Sequence, residues 1–222
     1  MDLTQLLSRV DHTQLNVTAV TQDYIQLCDE AITHNVASVC VPPSRVKFCD
    51  RHLKGRIKIC TVIGFPNGYA TPHIKAEEAK DAIQNGAEEI DMVIDISRAK
   101  DHDYTAILSD IRTVRNATTG IAILKVIIET ALLTQEEKIA LCQVVSESGA
   151  DYIKTSTGFA SGGATFEDVA LLRKYVTPEV KVKAAGGIST LDDAFQFIKL
   201  GADRLGTSRI IKLVQGIASA EY

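Results

Sequence analysis

The chain has no proline-, glycine- or serine-rich stretch, no low-complexity tract and no block of like charge that would mark a linker. Its 222 residues therefore read as one domain near the size of the smaller α/β barrels. Positive charge is not in excess either. With 24 Lys and Arg against 28 Asp and Glu the formal net charge is −4, which argues against the broad basic footprint of a nucleic-acid binder and leaves room for a local site on a small anion. No run approaches the ~20 apolar residues that a membrane span needs. The opening MDLTQLLSRVDHTQL carries an early acid and no basic leader, which predicts no signal peptide and a cytoplasmic protein without a membrane partner. Five cysteines, Cys28, Cys40, Cys49, Cys60 and Cys142, are odd in number, scattered and free of any Cys-x-x-Cys pair, a pattern of reduced thiols. The five histidines lack metal-ligand spacing, so neither a metal nor another cofactor is expected.

What the chain does have is a recurrent apolar, β-rich run between helical patterns. Seven are clear: SVCV (38–41), KICTVIGF (58–65), EIDMVID (89–95), AILKVIIE (122–129), DYIKTS (151–156), VKVKAA (180–185) and DRLGTS (203–208). RVDHT (9–13) is a weaker eighth. Continuously apolar strands joined by helix-length segments predict a parallel sheet covered by helices. NGAEEID, SGADYIK and LGADRLG repeat a Gly-Ala-acid step before a strand, at Gly86, Gly149 and Gly201, where glycine can end a helix in a positive-φ conformation. Their spacings each accommodate two βα units, and eight units close a TIM (β/α)8 barrel. An open doubly wound sheet is the alternative, against which stands the lack of Gly-x-Gly-x-x-Gly after the first strand.

Ionisable residues interrupt four consecutive apolar runs: Asp91, Lys125, Lys154 and Lys183. A lone strand lysine is more often solvated at a rim or paired with a carboxylate than reactive. Three lysines against one aspartate, however, predict uncompensated positive charge that is costly to bury. A second cation lowers the pKa of the first, which is how an amine becomes a nucleophile for a carbonyl near neutral pH. Glycine-rich loops follow the last three runs: STGFASGGAT with Gly158, AAGGIST with Gly186 and Gly187, and GTSRII with Gly206 and Ser208. Bare N–H groups in loops seven and eight of a barrel suit phosphate, so the expected ligand is a phosphorylated aldehyde or ketone.

IDMVID, LKVIIET, IKTSTGF and KAAGGI in that order, with DHT near the start and LGTS near the end, resemble the class I, Schiff-base family of 2-deoxyribose-5-phosphate aldolases over nearly the whole chain. The resemblance implies reversible cleavage of 2-deoxy-D-ribose 5-phosphate to acetaldehyde and D-glyceraldehyde 3-phosphate, in deoxynucleoside catabolism. It implies Lys154 as the imine-forming residue, Lys183 beside it for pKa depression and proton transfer, and Asp91 as their acid/base partner. Asp11, Thr13, Cys40, Lys125 and Thr155 match positions the family places around the substrate. Some members carry a phosphate-holding lysine where this chain has Phe159, which shifts that task to Gly186, Gly187, Gly206, Ser208 and Arg209. A C-terminal tail could bring Tyr222 over the site. A homodimer is expected. A non-covalent barrel isomerase, a phosphosugar-binding protein and a metal-dependent aldolase remain the alternatives.

Overall fold

Each run becomes a strand, and the order closes on itself. In the computed structural model, which describes residues 1–216, the strands are β1 (Val10–Thr13), β2 (Ser38–Val41), β3 (Lys58–Ile63), β4 (Glu89–Val93), β5 (Ile123–Ile127), β6 (Tyr152–Lys154), β7 (Lys181–Ala185) and β8 (Arg204–Thr207). All pair in parallel with their sequence neighbours, and β8 closes onto β1. The TIM-barrel expectation therefore holds, including its weak first strand, and the open sheet falls away.

Ten helices cover the barrel among the described residues: α1 (Leu3–Leu7), α2 (Thr21–His34), α3 (Val46–Leu53), α4 (Pro72–Gln84), α5 (Ile96–Lys100), α6 (Tyr104–Thr118), α7 (Gln135–Ser148), α8 (Phe166–Tyr175), α9 (Leu191–Lys199) and α10 (Ile210–Val214). Local chemistry starts and stops them. Thr134 and Thr190 open α7 and α9 with capping boxes closed by Glu137 and Asp193. Asn35, Lys54 and Gly149 end α2, α3 and α7 in left-handed conformations. None of these helices is long and apolar enough to cross a membrane.

The Gly-Ala-acid steps have a second function. Gly86, Gly149 and Gly201 all take positive φ. The acids that follow two of them cap the neighbouring strand: Asp151 accepts the Leu124 N–H at 2.8 Å, and Asp203 that of Val182 at 2.9 Å. The step thus turns the chain and sets strand register together.

Strand alternation divides the side chains into two populations. Val39, Ile59, Ile90, Met92, Leu124, Val126, Ile153, Val182 and Leu205 face outward into the main core beneath the helices. Full burial of each such side chain contributes ~1.5–3 kcal/mol. The other register collects Asp11, Cys40, Cys60, Glu89, Asp91, Lys125, Lys154, Lys183 and Arg204 in the lumen.

Most strands are shorter than their apolar runs, and three of them end early for a visible reason. β3 stops before Gly64, whose φ of +57° turns the chain and whose missing Cβ leaves space filled by the Lys75 stem. β5 stops before Glu129, a left-handed residue. β6 ends at Lys154, and the chain then leaves the ladder for the loop that closes the site.

Candidate active site

The lumen holds a buried ion network. Lys154 Nζ donates to Asp91 Oδ2 at 2.8 Å and Lys183 Nζ donates to the same oxygen at 2.7 Å. The other Asp91 oxygen accepts from Lys125 Nζ at 2.8 Å and from the Cys60 thiol at 3.1 Å. One level down, Asp11 bridges Lys183 and Arg204 and accepts from Ser38 Oγ at 2.8 Å. Glu89 pairs with Lys125 at 2.7 Å and with Arg204 at 3.1 Å, which spans the barrel from β4 to β8. The register explains the assembly, because Asp91 lies opposite Lys125 and Lys154 opposite Lys183 on neighbouring strands.

This corrects the charge count. Three lysines do not face one aspartate; Lys125, Lys154, Lys183 and Arg204 face Asp11, Glu89 and Asp91, leaving one excess positive charge. Glu89 and Arg204 were absent from the sequence reading, although each sits two residues before a flagged position, Asp91 and Gly206, and so on the same face of its strand.

The charges fix each other's protonation. Burial pushes the Asp91 carboxyl up, but Lys125, Lys154 and Lys183 outweigh burial and hold it well below the usual carboxylate range. Asp11 behaves likewise, burial being overcome by Lys183, Lys125 and Arg204. For Lys183, burial disfavours the ammonium form, yet Asp11 and Asp91 raise its pKa above the ordinary lysine value. Lys125 is raised in the same way, chiefly by Asp91 against burial. Its carboxylate partners thus favour the ammonium form of Lys183.

A cavity of about 600 Å³ opens above the network. Of the network's charged groups only Lys154 lines it. Thr13, Gly158, Gly186, Gly187, Gly206 and Ser208 line it, with Arg209 and the unforeseen Lys212 at the same mouth. Gly186 and Gly187, which border the opening, both take φ of +72°, a form that side-chain-bearing residues rarely adopt. Arg209 is oriented by Ser189 Oγ at 3.5 Å. Phe159 stands edge-on to Phe65, with ring centroids 5.3 Å apart.

The remaining predicted residues lie one layer deeper. Asp11 and Lys125 are in the network, and Cys40 packs with Cys60 and Val62 against Leu15 and Phe65. Thr155 Oγ1 donates to the Ala185 carbonyl at 3.2 Å and accepts its N–H at 3.1 Å, tying β6 to β7. Gly206 leaves room for the Lys183 stem, whose Cε would lie 3.0 Å from an added Cβ. Tyr222 lies outside the described residues.

Gly163 joins the two glycine loops. A Cβ there would sit 2.5 Å from the Gly186 carbonyl carbon and 2.6 Å from Gly187 N. Gly163→Ala is therefore expected to displace the Gly186–Gly187 turn and to cost roughly 1–3 kcal/mol. Thermal melts and KM for a phosphorylated substrate check this, and a parental KM would show that the loops do not need their contact.

Among the described residues two groupings have metal-ligand spacing, Cys40 with Cys60 and Asp91, and Asp11 with Cys60 and Glu89. Their carboxylates already bind ammonium groups, so a dication would enter beside Lys125 and Lys183; the donor set fits ion pairs better than a metal.

A parallel eight-stranded barrel in which one lysine of the buried network faces the cavity, a second shares its carboxylate and glycine loops border the mouth fits the carbonyl-acting class of barrel lyases. The chain belongs to the DeoC/LacD family of aldolases, whose model matches residues 1–219. It is 52% identical over 217 residues to the deoxyribose-phosphate aldolase of Clostridioides difficile, covering 98% of this chain and 99% of that one. It is 53% identical over 219 residues to that of Streptococcus pyogenes, covering 99% and 98%. Among solved structures, the tetrameric deoxyribose phosphate aldolase of Aeropyrum pernix superimposes with a TM-score of 0.87 at 31% identity, covering 98% of this chain and 93% of the other.

Proposed function

We propose that the chain is a deoxyribose-phosphate aldolase that cleaves 2-deoxy-D-ribose 5-phosphate reversibly to acetaldehyde and D-glyceraldehyde 3-phosphate through an imine on Lys154. One observation carries the assignment of the nucleophile: Lys154 is the ammonium group of the buried network that lines the cavity, and it shares an Asp91 oxygen with Lys183. Its amine attacks C1 of the open-chain sugar, and loss of water gives the imine. The C3 hydroxyl loses its proton, the C2–C3 bond breaks, and its electron pair flows into the iminium. Glyceraldehyde 3-phosphate leaves, and the enamine of acetaldehyde stays on Lys154. Protonation at C2 and hydrolysis release acetaldehyde and the free amine.

Asp91 and Lys183 form the acid/base unit in this reading. The enamine nitrogen is neutral, so Asp91 then faces two cations in place of three, which raises its basicity at the step where protons are exchanged. Lys183, held charged by Asp11, supplies a proton donor next to that carboxylate. At the mouth, the Gly186 and Gly187 backbone, Ser208, Arg209 and Lys212 are suited to the phosphate. Asp11, Lys125, Cys40 and Thr155 serve from the layer below, holding the reactive groups in place, while Thr13, Gly158 and Gly206 border the bound sugar. The chain is read as one domain that works in the cytoplasm, in keeping with five free, buried cysteines, and pairs as a homodimer, which light scattering tests.

The test is intact-mass analysis after incubation with acetaldehyde and sodium borohydride, followed by peptide mapping. A single ethyl adduct on Lys154 is expected. No adduct, or adducts spread over surface lysines, would reject the imine and favour a non-covalent isomerase.

A further inference from the structure

Glu129 takes a left-handed conformation, φ 57° and ψ 66°, at the end of β5, a geometry that costs a side-chain-bearing residue ~1 kcal/mol or more. The backbone on either side still pairs normally. Ile128 N donates to the Lys154 carbonyl at 3.1 Å, and Thr130 N donates to the Thr155 carbonyl at 2.9 Å. The kink therefore leaves the β5–β6 tether intact and serves to aim one side chain. The Glu129 carboxylate, 3% exposed, reaches across to accept the Thr157 N–H at 3.2 and 3.3 Å and the Thr157 hydroxyl. With its proton committed to Glu129, the hydroxyl oxygen accepts Phe159 N–H at 3.0 Å.

This chain of bonds sets the path of Thr157, Gly158 and Phe159, all of which line the cavity. The path in turn touches the next loop: a Cβ built on Gly186 would lie 3.9 Å from Gly158 Cα and 3.0 Å from Gly163 Cα. We infer that Glu129 is a positioning residue for the phosphate end of the cavity, acting through Thr157 on the loop that supports Gly186 and Gly187. The inference rests on the aldolase reading above. It separates two things the sequence places side by side, since Lys154 is tethered by backbone bonds that a change of the Glu129 side chain leaves alone.

Glu129→Gln keeps the size of the side chain but replaces one acceptor oxygen with a donor facing Thr157. Steady-state kinetics of Glu129→Gln and Thr157→Val are compared on 2-deoxyribose 5-phosphate and on unphosphorylated 2-deoxyribose, alongside melting curves and borohydride trapping. For the phosphorylated substrate KM is expected to rise ~10- to 100-fold, the scale of a small misplacement, with kcat within about twofold. On the unphosphorylated sugar Glu129→Gln changes kcat/KM little, and acetaldehyde is trapped at parental yield. The double variant is no worse than the worse single one, because both cut the same connection. An equal loss on both sugars, or unchanged kinetics on both, overturns the inference. Failure of trapping in the parent protein strikes the aldolase reading instead.

Discussion

Lys154→Leu is expected to lower kcat/KM by ~10⁴-fold or more, on the scale of losing a covalent nucleophile, and to leave the melting temperature unchanged or higher. The first half follows from the imine. The second follows from the charge count, since Lys154 belongs to a set of four cations facing three carboxylates, and its removal leaves three against three. Asp91 keeps Lys125 and Lys183 as partners in the variant, so no charge is stranded. Most truncations of buried ionic residues destabilise by orphaning a partner; this one relieves an excess. Kinetics and thermal melts on the same preparation check both halves. An active variant rejects Lys154 as nucleophile, whereas an inactive variant that melts well below the parent rejects the charge argument alone.

Asp91→Asn has the opposite balance. It leaves four cations against Asp11 and Glu89, both already committed to other members of the network. Removing one partner from a buried ion network costs roughly 3–5 kcal/mol, and at ~2–4 °C per kcal/mol for a domain of this size the melting temperature should fall by ~10 °C. Activity should be lost with the proton relay. The acid limb adds a sign. The folded carboxyls of Asp91 and Asp11 lie below the value of 3.8 that they take when unpaired, so their contribution to stability is complete above pH 3.8 and is lost as pH falls from there toward the depressed folded values. In Asp91→Asn, stability should fall less steeply as pH drops through that range, because one fewer proton is taken up when the chain unfolds. Urea titrations at a series of pH values below 4 measure that slope; an unchanged slope would mean that Asp91 is not the depressed group. At the alkaline end the raised values of Lys125 and Lys183 work the other way, with their contribution complete below pH 10.5 and lost above it.

The barrel was legible because its strands are apolar on both faces except where function intervenes, and because the Gly-Ala-acid step punctuates them. The same contrast exposed Asp91, Lys125, Lys154 and Lys183, charges in runs that otherwise exclude charge. Glu89 and Arg204 stood at strand starts, where a charge reads as a solvated end, and only the period-two alternation could have placed them in the lumen. Other groups had no local signal. Lys75 on α4 reads as an ordinary exposed helix lysine, yet it is fully buried, donating to Asp110 at 2.6 Å and to the Val93 carbonyl at 2.9 Å. Glu129 meets Thr157 only because two loops converge at the barrel mouth, a fact of tertiary structure. The clamp on Lys183 was out of reach for the same reason, since the carboxylate that pairs with it comes from Asp11 on β1, far away in sequence.

The split between a sealed lumen and an open mouth gives the molecule two electrostatic regimes. Lys212 is exposed and Arg209 half-exposed, so dissolved ions reach both, and at ~0.15 M ionic strength their pull on a phosphate is damped beyond about 8 Å. Asp91 and Lys183 lie fully beneath protein, where salt screens charges much less. The capture of an anion is therefore negotiated with the surrounding electrolyte, while the field at the reacting carbon is set chiefly by the fold and is screened far less by the medium.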